Sequence, residues 1–328
     1  MKKVLCFALM ALVLVTSVFA NGQAESTSEV KYPTKGITLI VPWNPGGTND
    51  LMARAMQPVF KSMYNVDLVV KNVPGGGSAV GIMEAMNSKA DGYTLGLATS
   101  SFLALTAQGR VSVPVDSASN IMSIAEEPIV MVVKKNGGKY SSAMDVINAV
   151  KANPGQVSAG IPGSNNVNQA YATILQGAIG SEFNFLPFDG GSRVVAELIG
   201  GHIDCGFLKP SETIAQVKAG ELAIVGVFNK DGLKIMPEVP TFKSLGYDVF
   251  TMGNIQQMCY VMGPKNLDSA IVAKIVEMFK GVALSAEYGE FCDSLGIQLN
   301  VHSGDEFTAY FNEVYKGLEE ASDKIFTK

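Results

Sequence analysis

The sequence predicts an α/β protein with two lobes, each built on a mostly parallel sheet that helices cover on both faces. Apolar runs typical of strands alternate with helical patterns, and this alternation favours parallel sheets flanked by helices. It occurs as two separate series, the second of which begins near Ile129. The 328 residues also exceed the roughly 250–300 residues at which a single core stops growing. We therefore expect two lobes rather than one.

The first series begins with Ile37–Val41, a continuous apolar run typical of a strand that is buried on both faces. Apolar residues then recur at helical spacing from Leu51 to Tyr64. The pattern next predicts a strand at Val66–Val70, a short helix at Ser78–Asn87 and a third strand at Tyr93–Ala98.

The second series opens with a strand at Ile129–Val133. Ser142, with Asp145 three residues later, resembles a capping box that starts a helix ending near Pro154. Further alternation predicts strands at 157–160, 183–188, 203–207 and 222–227, with helices at 169–175 and up to residue 199.

The end of the chain returns to a buried strand at Met258–Met262 and closes with helical patterns, the last of which follows a capping box of Ser303 and Glu306. This return indicates that the chain passes back into the lobe where it began. We predict that residues 31–128 and 252–328 form one lobe and that residues 129–251 form the other.

The first twenty residues are predicted to be a cleaved signal peptide. Lys2 and Lys3 precede the apolar run Val4–Ala20, and Val18-Phe19-Ala20 fits a small-x-small cleavage site. An uncleaved anchor is the alternative reading, because a run of 17 residues reaches the lower limit of a membrane span. We expect an exported, periplasmic or otherwise extracytoplasmic protein that acts as a monomer.

The composition excludes several classes of function. Hydrophobic residues make up 47% of the chain and charged residues 17%, which argues against a disordered protein. The 25 Lys and Arg do not exceed the 30 Asp and Glu, so no nucleic-acid partner is expected. The sequence contains no nucleophile elbow, no P-loop and only two histidines. It predicts no catalytic residue, no cofactor and no metal site.

Three glycine-rich turns, at residues 42–50, 160–166 and 189–193, each lie between a predicted strand and a predicted helix. Ligands of open α/β sheets bind beyond the carboxyl ends of the strands. Glycines let a ligand approach the backbone, and the helix starts offer unpaired amide groups to an anion. The turns therefore predict a carboxylate or phosphate site, although each by itself could be an ordinary connector.

For two side chains in these turns, Trp43 and Arg193, the sequence leaves two alternative roles open. Trp43, the single tryptophan, either forms a wall of the ligand pocket or packs structurally. Arg193 either pairs with a ligand carboxylate or is a solvated residue of the following helix. The cysteines outside the signal peptide, Cys205, Cys259 and Cys292, have apolar neighbours and are expected to be buried, unreactive thiols.

Several motifs in a fixed order carry a resemblance to a known family. They are Pro42-Trp43-x-x-Gly46-Gly47-x-x-Asp50 with Arg54, Asn72–Gly77, Asp91–Leu95, Gly190-Gly191, Gly200–Asp204 and Met236–Thr241. This ordered set, spread over nearly the whole chain after the signal peptide, resembles the receptors of tripartite tricarboxylate transporters, the TctC/Bug-like periplasmic solute-binding proteins.

The resemblance implies a type II-like periplasmic-binding-protein fold, with a hinge between the lobes and a ligand cleft that closes. It also implies that the protein is not an enzyme, but binds a small organic carboxylate and delivers it to the permease subunits of a tripartite tricarboxylate-type transporter. A receptor for an amino acid or another metabolite, or an exported α/β enzyme, are the alternatives.

Carried onto this chain, the family's carboxylate site falls on residues 43–50 and 161–169, where backbone groups and bridging water hold the ligand. Trp43 replaces the usual Phe, and Asn165, Asn166 and Gln169 replace the usual His region, so the exact ligand stays open. The candidate ligand-binding residues are Trp43, Asn44, Gly46, Gly47, Thr48, Asn49, Asp50, Ser100, Pro162, Gly163, Ser164, Asn165, Asn166, Gln169, Asp189 and Gly190.

Overall fold

The computed structural model describes residues 31–252 and 255–325, which form two β-sheets flanked by helices. The predicted signal peptide lies outside the described residues. Within the described part of the chain, no helix is both long enough and apolar enough to span a bilayer.

Eleven strands are described: β1 Ile37–Val41, β2 Leu68–Asn72, β3 Thr94–Thr99, β4 Ala118–Glu127, β5 Ile129–Lys134, β6 Ser158–Pro162, β7 Asn184–Phe188, β8 Cys205–Leu208, β9 Leu222–Phe228, β10 Gln257–Pro264 and β11 Gln298–Leu299. The described α-helices are α1 Thr48–Tyr64, α2 Ala79–Met86, α3 Ser100–Ala107, α4 Ala143–Ala152, α5 Val167–Ile179, α6 Gly191–Gly200, α7 Pro210–Lys218, α8 Ser269–Ala283, α9 Ala286–Leu295 and α10 Gly304–Ile325. Short 3₁₀ turns lie at Gly76–Ser78 and Val115–Ser117.

The first sheet has the strand order β11-β4-β10-β3-β1-β2, and the second has the order β7-β6-β8-β5-β9. The predicted two-lobed α/β fold is confirmed, but both sheets are mixed rather than mostly parallel. Strand β1 is parallel to β2 and β3, whereas β10 is antiparallel to β3 and β4. In the second sheet, β6 is parallel to β7 and β8, whereas β5 is antiparallel to β8 and β9.

In each sheet, the strand that enters from the other sheet, β10 or β5, runs antiparallel to both of its neighbours. Parallel neighbours need a crossover connection, which is usually a helix. Strand β5 has no such crossover, because only Pro128 separates it from β4 in the first sheet. Strand β10 likewise arrives from β9 of the second sheet. Each passage therefore places an antiparallel strand in the sheet that it enters, and β11 adds a further antiparallel pair with β4 in the first sheet.

Most predicted elements are present within a few residues, and the capping box of Ser142 and Asp145 forms as predicted. Five elements are not predicted by the sequence pattern: α3, β4, α7, α9 and β11. Strand β4 was missed because polar residues interrupt its apolar pattern. Their partners come from distant segments: Ser123 Oγ donates to Asn300 O at 2.6 Å, and Glu126 Oε2 accepts from the Tyr310 hydroxyl at 2.6 Å.

One apolar core runs from the first sheet to the inner face of the second. In it, Tyr260 of β10 packs against Phe307 and Phe311 of α10. Helix α10 also contacts α3 and α5, which follow strands of different sheets. The last helix of the described chain therefore packs against helices that belong to both sheets.

The three cysteines are free and buried, as predicted. Burial raises the pKa of Cys259 to about 12 and the pKa of Cys292 to about 12. The pKa of Cys205 is raised for the same reason. Because the thiolate is the reactive form, none of these thiols is reactive near neutral pH.

Candidate functional site

A cleft of about 510 Å³, counted with its part that opens to solvent, lies where the starts of α1, α3, α5, α6 and α7 approach one another. Residues from the start of each of these five helices line it. A helix start carries unpaired amide groups and the positive end of the helix dipole. These helix starts therefore offer amide donors to an anionic group of a ligand.

The first glycine-rich turn supplies five of the lining residues: Trp43, Asn44, Gly47, Thr48 and Asn49. The first amide of α1 to donate along the helix is that of Leu51, which donates to Gly47 O at 3.0 Å. The amides of residues 48–50 therefore precede the helical hydrogen bonds. Gly46 has a φ of +84°, a conformation that favours glycine and turns the chain into the helix.

Asp50 organises this turn instead of lining the cleft. Its carboxylate accepts hydrogen bonds from the Gly46 amide, from Arg54 Nε and from Asn72 Nδ2, each at 2.9 Å. Burial acts to raise the pKa of Asp50, but the hydrogen bonds from Arg54, Gly46 and Asn72 outweigh it and hold the pKa below its usual value. Asp50 is therefore a positioning residue for the turn.

The second turn contributes Pro162 and Asn166 to the cleft, and Asn168 of the following helix α5 also lines it. Asn166 caps α5, since its Oδ1 accepts from the Gln169 amide at 3.1 Å and its Nδ2 donates to Pro162 O at 2.6 Å. Gln169 Oε1 in turn accepts from the Asn165 amide at 2.5 Å. Both carboxamides therefore hold the turn in shape.

The third turn contributes Gly190, Gly191 and Ser192. Gly190 precedes α6 with a φ of +102°, and no side chain caps the helix at this residue. Asn44 Nδ2 of the first turn donates to Asp189 O of the third turn at 3.3 Å. The first and third turns are therefore in contact.

Half of the sequence-predicted site residues line the cleft, namely Trp43, Asn44, Gly47, Thr48, Asn49, Pro162, Asn166 and Gly190. The other predicted residues are not among those that line the cleft: Gly46, Asp50, Ser100, Gly163, Ser164, Asn165, Gln169 and Asp189. Ser100, for example, is fully buried, and its Oγ accepts from the Met258 amide at 3.0 Å.

Eight lining residues are not among the predicted site residues: Thr99, Ser101, Asn168, Gly191, Ser192, Lys209, Glu212 and Gln257. Three of them, Asn168, Gly191 and Ser192, lie within the ranges predicted to hold the ligand. One signal could have revealed two of the others. Lys209 directly follows the apolar strand β8 and precedes Pro210, while Glu212 lies two residues after this proline. A proline at the first helical position with an acid in the first turn indicates a helix start.

Lys209 forms a buried cluster with two carboxylates. Its Nζ lies 3.9 Å from Glu127 Oε2 and 3.7 Å from Glu212 Oε1, which are distances of ion pairs rather than of short hydrogen bonds. Glu212 Oε2 also accepts from the Lys209 amide at 3.0 Å, and Glu127 Oε1 accepts from the Ser211 amide at 3.3 Å. Burial raises the pKa of Glu127 to about 7, although Lys209 acts to lower it.

Arg193 is a solvated helix residue. Its side chain is 64% exposed, its Nη2 lies 2.6 Å from Glu197 Oε1, and it does not line the cleft. His202, also exposed, pairs with the same glutamate. Among the described residues, no group of His, Cys, Asp and Glu side chains could hold a metal ion.

Comparisons with known proteins match this architecture. The family model described as tripartite tricarboxylate transporter family receptor, TctC, matches residues 52–317. The chain is 29% identical over 255 residues to the protein BugT of Bordetella pertussis, an alignment that covers 76% of this chain and 77% of BugT.

Two solved structures have the same fold. One, described as a periplasmic transporter, is 26% identical and superposes with a TM-score of 0.82 over 90% of this chain and 99% of its own. The other, MatC of Rhodopseudomonas palustris with bound malate, is 16% identical and gives a TM-score of 0.78 over 88% of this chain and all of its own. The chain therefore belongs to the TctC family of tripartite tricarboxylate transporter receptors, which are solute-binding receptors.

Proposed function

We propose that the chain captures a small organic carboxylate in the cleft and delivers it to the permease subunits of a tripartite tricarboxylate-type transporter. The observation that carries the proposal is the meeting of five helix starts around one cleft. The cation at this cleft, Lys209, is already paired with two carboxylates. Backbone amides are therefore the main donors that the cleft offers to an anion.

The expected strength of binding fits a transport receptor. Hydrogen bonds to a charged group contribute about 1.5–3 kcal/mol each. Three or four of them, reduced by the cost of ordering the ligand, reach the roughly −8 kcal/mol of a micromolar complex.

The proposal includes closure of two lobes over the ligand, one formed by residues 31–128 and 252–328 and the other by residues 129–251. The division of strands supports it, since β1–β4, β10 and β11 form one sheet and β5–β9 the other. The cleft has turns from both groups of strands on its walls. A ligand held by both sets of turns would favour the closed arrangement.

We further propose that residues 1–20 are removed on export and that the receptor works as a monomer in the periplasm. The mass of the purified protein tests the cleavage, and cell fractionation with sedimentation analysis tests the location and the oligomeric state. A full-length, membrane-bound product would contradict this part of the proposal.

An exported enzyme is the less supported alternative. Hydrolytic catalysis commonly uses a nucleophile beside a histidine base, and no histidine or cysteine is among the described residues that line the cleft. A turnover assay with carboxylate esters separates the two functions, because a receptor returns its ligand unchanged.

The proposed function is tested by native mass spectrometry of protein purified without refolding, followed by calorimetric titration with a panel of organic acids. The structural neighbour with bound malate makes C3–C6 dicarboxylates, hydroxy acids and amino acids a reasonable panel. We expect saturable binding of at least one member with a micromolar or lower Kd. Failure of every member to bind would overturn the proposal.

A further inference from the structure

We propose that the ligand carries an ammonium group in addition to its carboxylate, and that Glu212 and Gln257 accept hydrogen bonds from this ammonium. The inference rests on the proposed carboxylate-binding function and narrows its ligand to amino-carboxylates. Three features of the cleft support it: an unpartnered acceptor, the charge of the Lys209 cluster, and the position of the Glu212 carboxylate of that cluster at the start of α6.

Gln257, the first residue of β10, provides the unpartnered acceptor. Its side chain lines the cleft, and only 7% of the residue is exposed. Gln257 Nε2 donates to Ser101 Oγ at 3.4 Å, whereas Gln257 Oε1 has no hydrogen-bond partner. A buried carbonyl oxygen without a donor is rare and unfavourable. A ligand N–H group would satisfy it.

The charges beside Gln257 also favour a cation. Lys209 faces two carboxylates, those of Glu127 and Glu212, so the fully ionised cluster carries one net negative charge. Burying uncompensated charge is costly. An ammonium group of the ligand would bring the ionised cluster to neutrality and would favour the ionised form of Glu127, whose pKa burial raises to about 7. A second ligand carboxylate would instead increase the imbalance.

The glycine-rich turn before α6 is one of the three turns predicted to bind a ligand anion. In the structure, the Glu212 carboxylate lies at the start of this helix. The Glu212 carboxyl group lies so close to Gly191 that a Cβ on this glycine would overlap it. Only 7% of the Glu212 side chain is exposed. The positive end of α6 is therefore already used by the protein's own carboxylate.

The cleft therefore has one end that offers hydrogen-bond donors and another end that offers acceptors. Thr48 and Asn49 line the cleft, and their amides precede the hydrogen bonds of α1, so they can meet the ligand carboxylate, while Glu212 and Gln257 present acceptors. A zwitterionic amino-carboxylate has the complementary arrangement, with an anionic group and a donor group on one small molecule.

Calorimetric titration of the full mature chain with matched probes tests the inference. The pairs are L-aspartate with succinate, L-glutamate with glutarate, L-alanine with propionate and L-leucine with 4-methylpentanoate, and each pair differs by the amino group. We expect the amino member of at least one pair to bind 10-fold or more tightly than its partner, because a site built for a donor rejects an analogue without it.

Two variants assign the preference to these residues. Glu212→Gln removes the charge and keeps the shape, and Gln257→Met removes the acceptor; each should reduce the preference of the best pair to roughly threefold or less. Glu182→Gln, which changes an exposed carboxylate away from the cleft, is the matched control and should keep the wild-type preference. Circular dichroism and thermal unfolding check the fold of each variant.

The possible outcomes separate the inference from the proposed function. If the partner without an amino group binds as tightly in every pair that binds, the ammonium site is wrong and the carboxylate receptor stands. If the preference persists in a folded Glu212→Gln or Gln257→Met protein, the assignment to that residue is wrong. If no probe and no organic acid of the panel binds, the proposed function itself fails.

Discussion

Thr48 Oγ1 lies 2.6 Å from Ser211 Oγ, and both hydroxyl groups are buried. Thr48 is the first residue of α1, which packs on the first sheet, and Ser211 belongs to the first turn of α7, which packs on the second. The hydrogen bond therefore joins two helix starts from different sheets at the wall of the cleft. It is a direct link between the halves that the proposed closure brings together.

Replacing Thr48 with valine removes this link while nearly keeping the side-chain shape. We expect the Kd for the ligand found in the panel to rise about fivefold, which corresponds to the roughly 1 kcal/mol of one hydrogen bond. Calorimetric titration measures it. The control is Thr106→Val, because the Thr106 hydroxyl donates to Phe102 O within its own helix. Equal affinities of the two variants would contradict the role of the link.

Gly47→Val should weaken binding far more than Arg193→Ala. Gly47 has a φ of −79°, so valine is compatible with the backbone there. The one contact of a Cβ at this position would be Asn44 O at 3.7 Å, so the side chain would extend into the cleft. We expect at least a 10-fold rise in Kd for Gly47→Val and less than a twofold change for Arg193→Ala.

Titration calorimetry of both variants, after a check of the fold by circular dichroism, decides this prediction. The opposite result, with binding lost only in Arg193→Ala, would mean that a side-chain cation holds the ligand. Exposure of Arg193 and its ion pair with Glu197 make that result unexpected.

Trp43 fluorescence should report ligand binding. Trp43 lines the cleft and is half-buried, and the chain has no other tryptophan. A ligand that displaces water from its ring should shift or quench the emission, with the same Kd as calorimetry gives. An unchanged spectrum at calorimetric saturation would argue against contact between Trp43 and the ligand.

Glu127→Gln should change how stability depends on pH. Burial raises the pKa of Glu127 to about 7, above its unfolded value of 4.5. The folded state therefore binds this proton more tightly, and the associated stability is full below the unfolded pKa and lost as pH rises to about 7. Relative to Glu127→Gln, the wild type should lose roughly 2–4 kcal/mol over this range.

Urea unfolding of both proteins at pH 4.5, 5.5 and 7.5 measures this difference. Parallel stability profiles of the two proteins would show that the pKa of Glu127 is not raised in the folded state. Of the charged groups that face Glu127, Lys209 acts to lower its pKa, whereas Glu212 acts to raise it.

Asp50→Asn should destabilise the first turn. The substitution removes the charge that accepts from Gly46, Arg54 and Asn72, and hydrogen bonds to a charged group contribute about 1.5–3 kcal/mol each. We expect a loss of about 1–3 kcal/mol in the free energy of unfolding at pH 7, shrinking as pH falls through the lowered pKa of Asp50.

The matched control for Asp50 is Asp67→Asn. Asp67 pairs with Lys61 at 2.9 Å, but both side chains are more than half exposed. Such a pair contributes at most about 1 kcal/mol. A similar loss of stability in both variants, measured by urea unfolding, would contradict the organising role of Asp50.

The sequence by itself determined the local elements and their signals. The apolar run of β1, the capping box of Ser142 and the glycines before α1 and α6 each depend on neighbours within a few residues. Such short-range preferences for backbone conformation are legible in the chain, as is the ordered set of motifs that carries the family resemblance.

The partners of the polar segments, such as β4, depend on the tertiary structure and could not be predicted from the sequence. Strand β4 lacks a clean apolar pattern because its polar side chains find partners from distant parts of the chain, and Glu127 meets Ser211 across 84 residues. The burial of Lys209 follows from these meetings, since a buried cation needs carboxylates that no local pattern supplies. The turns were therefore predictable from sequence, whereas the charge at the inner end of the cleft required the folded chain.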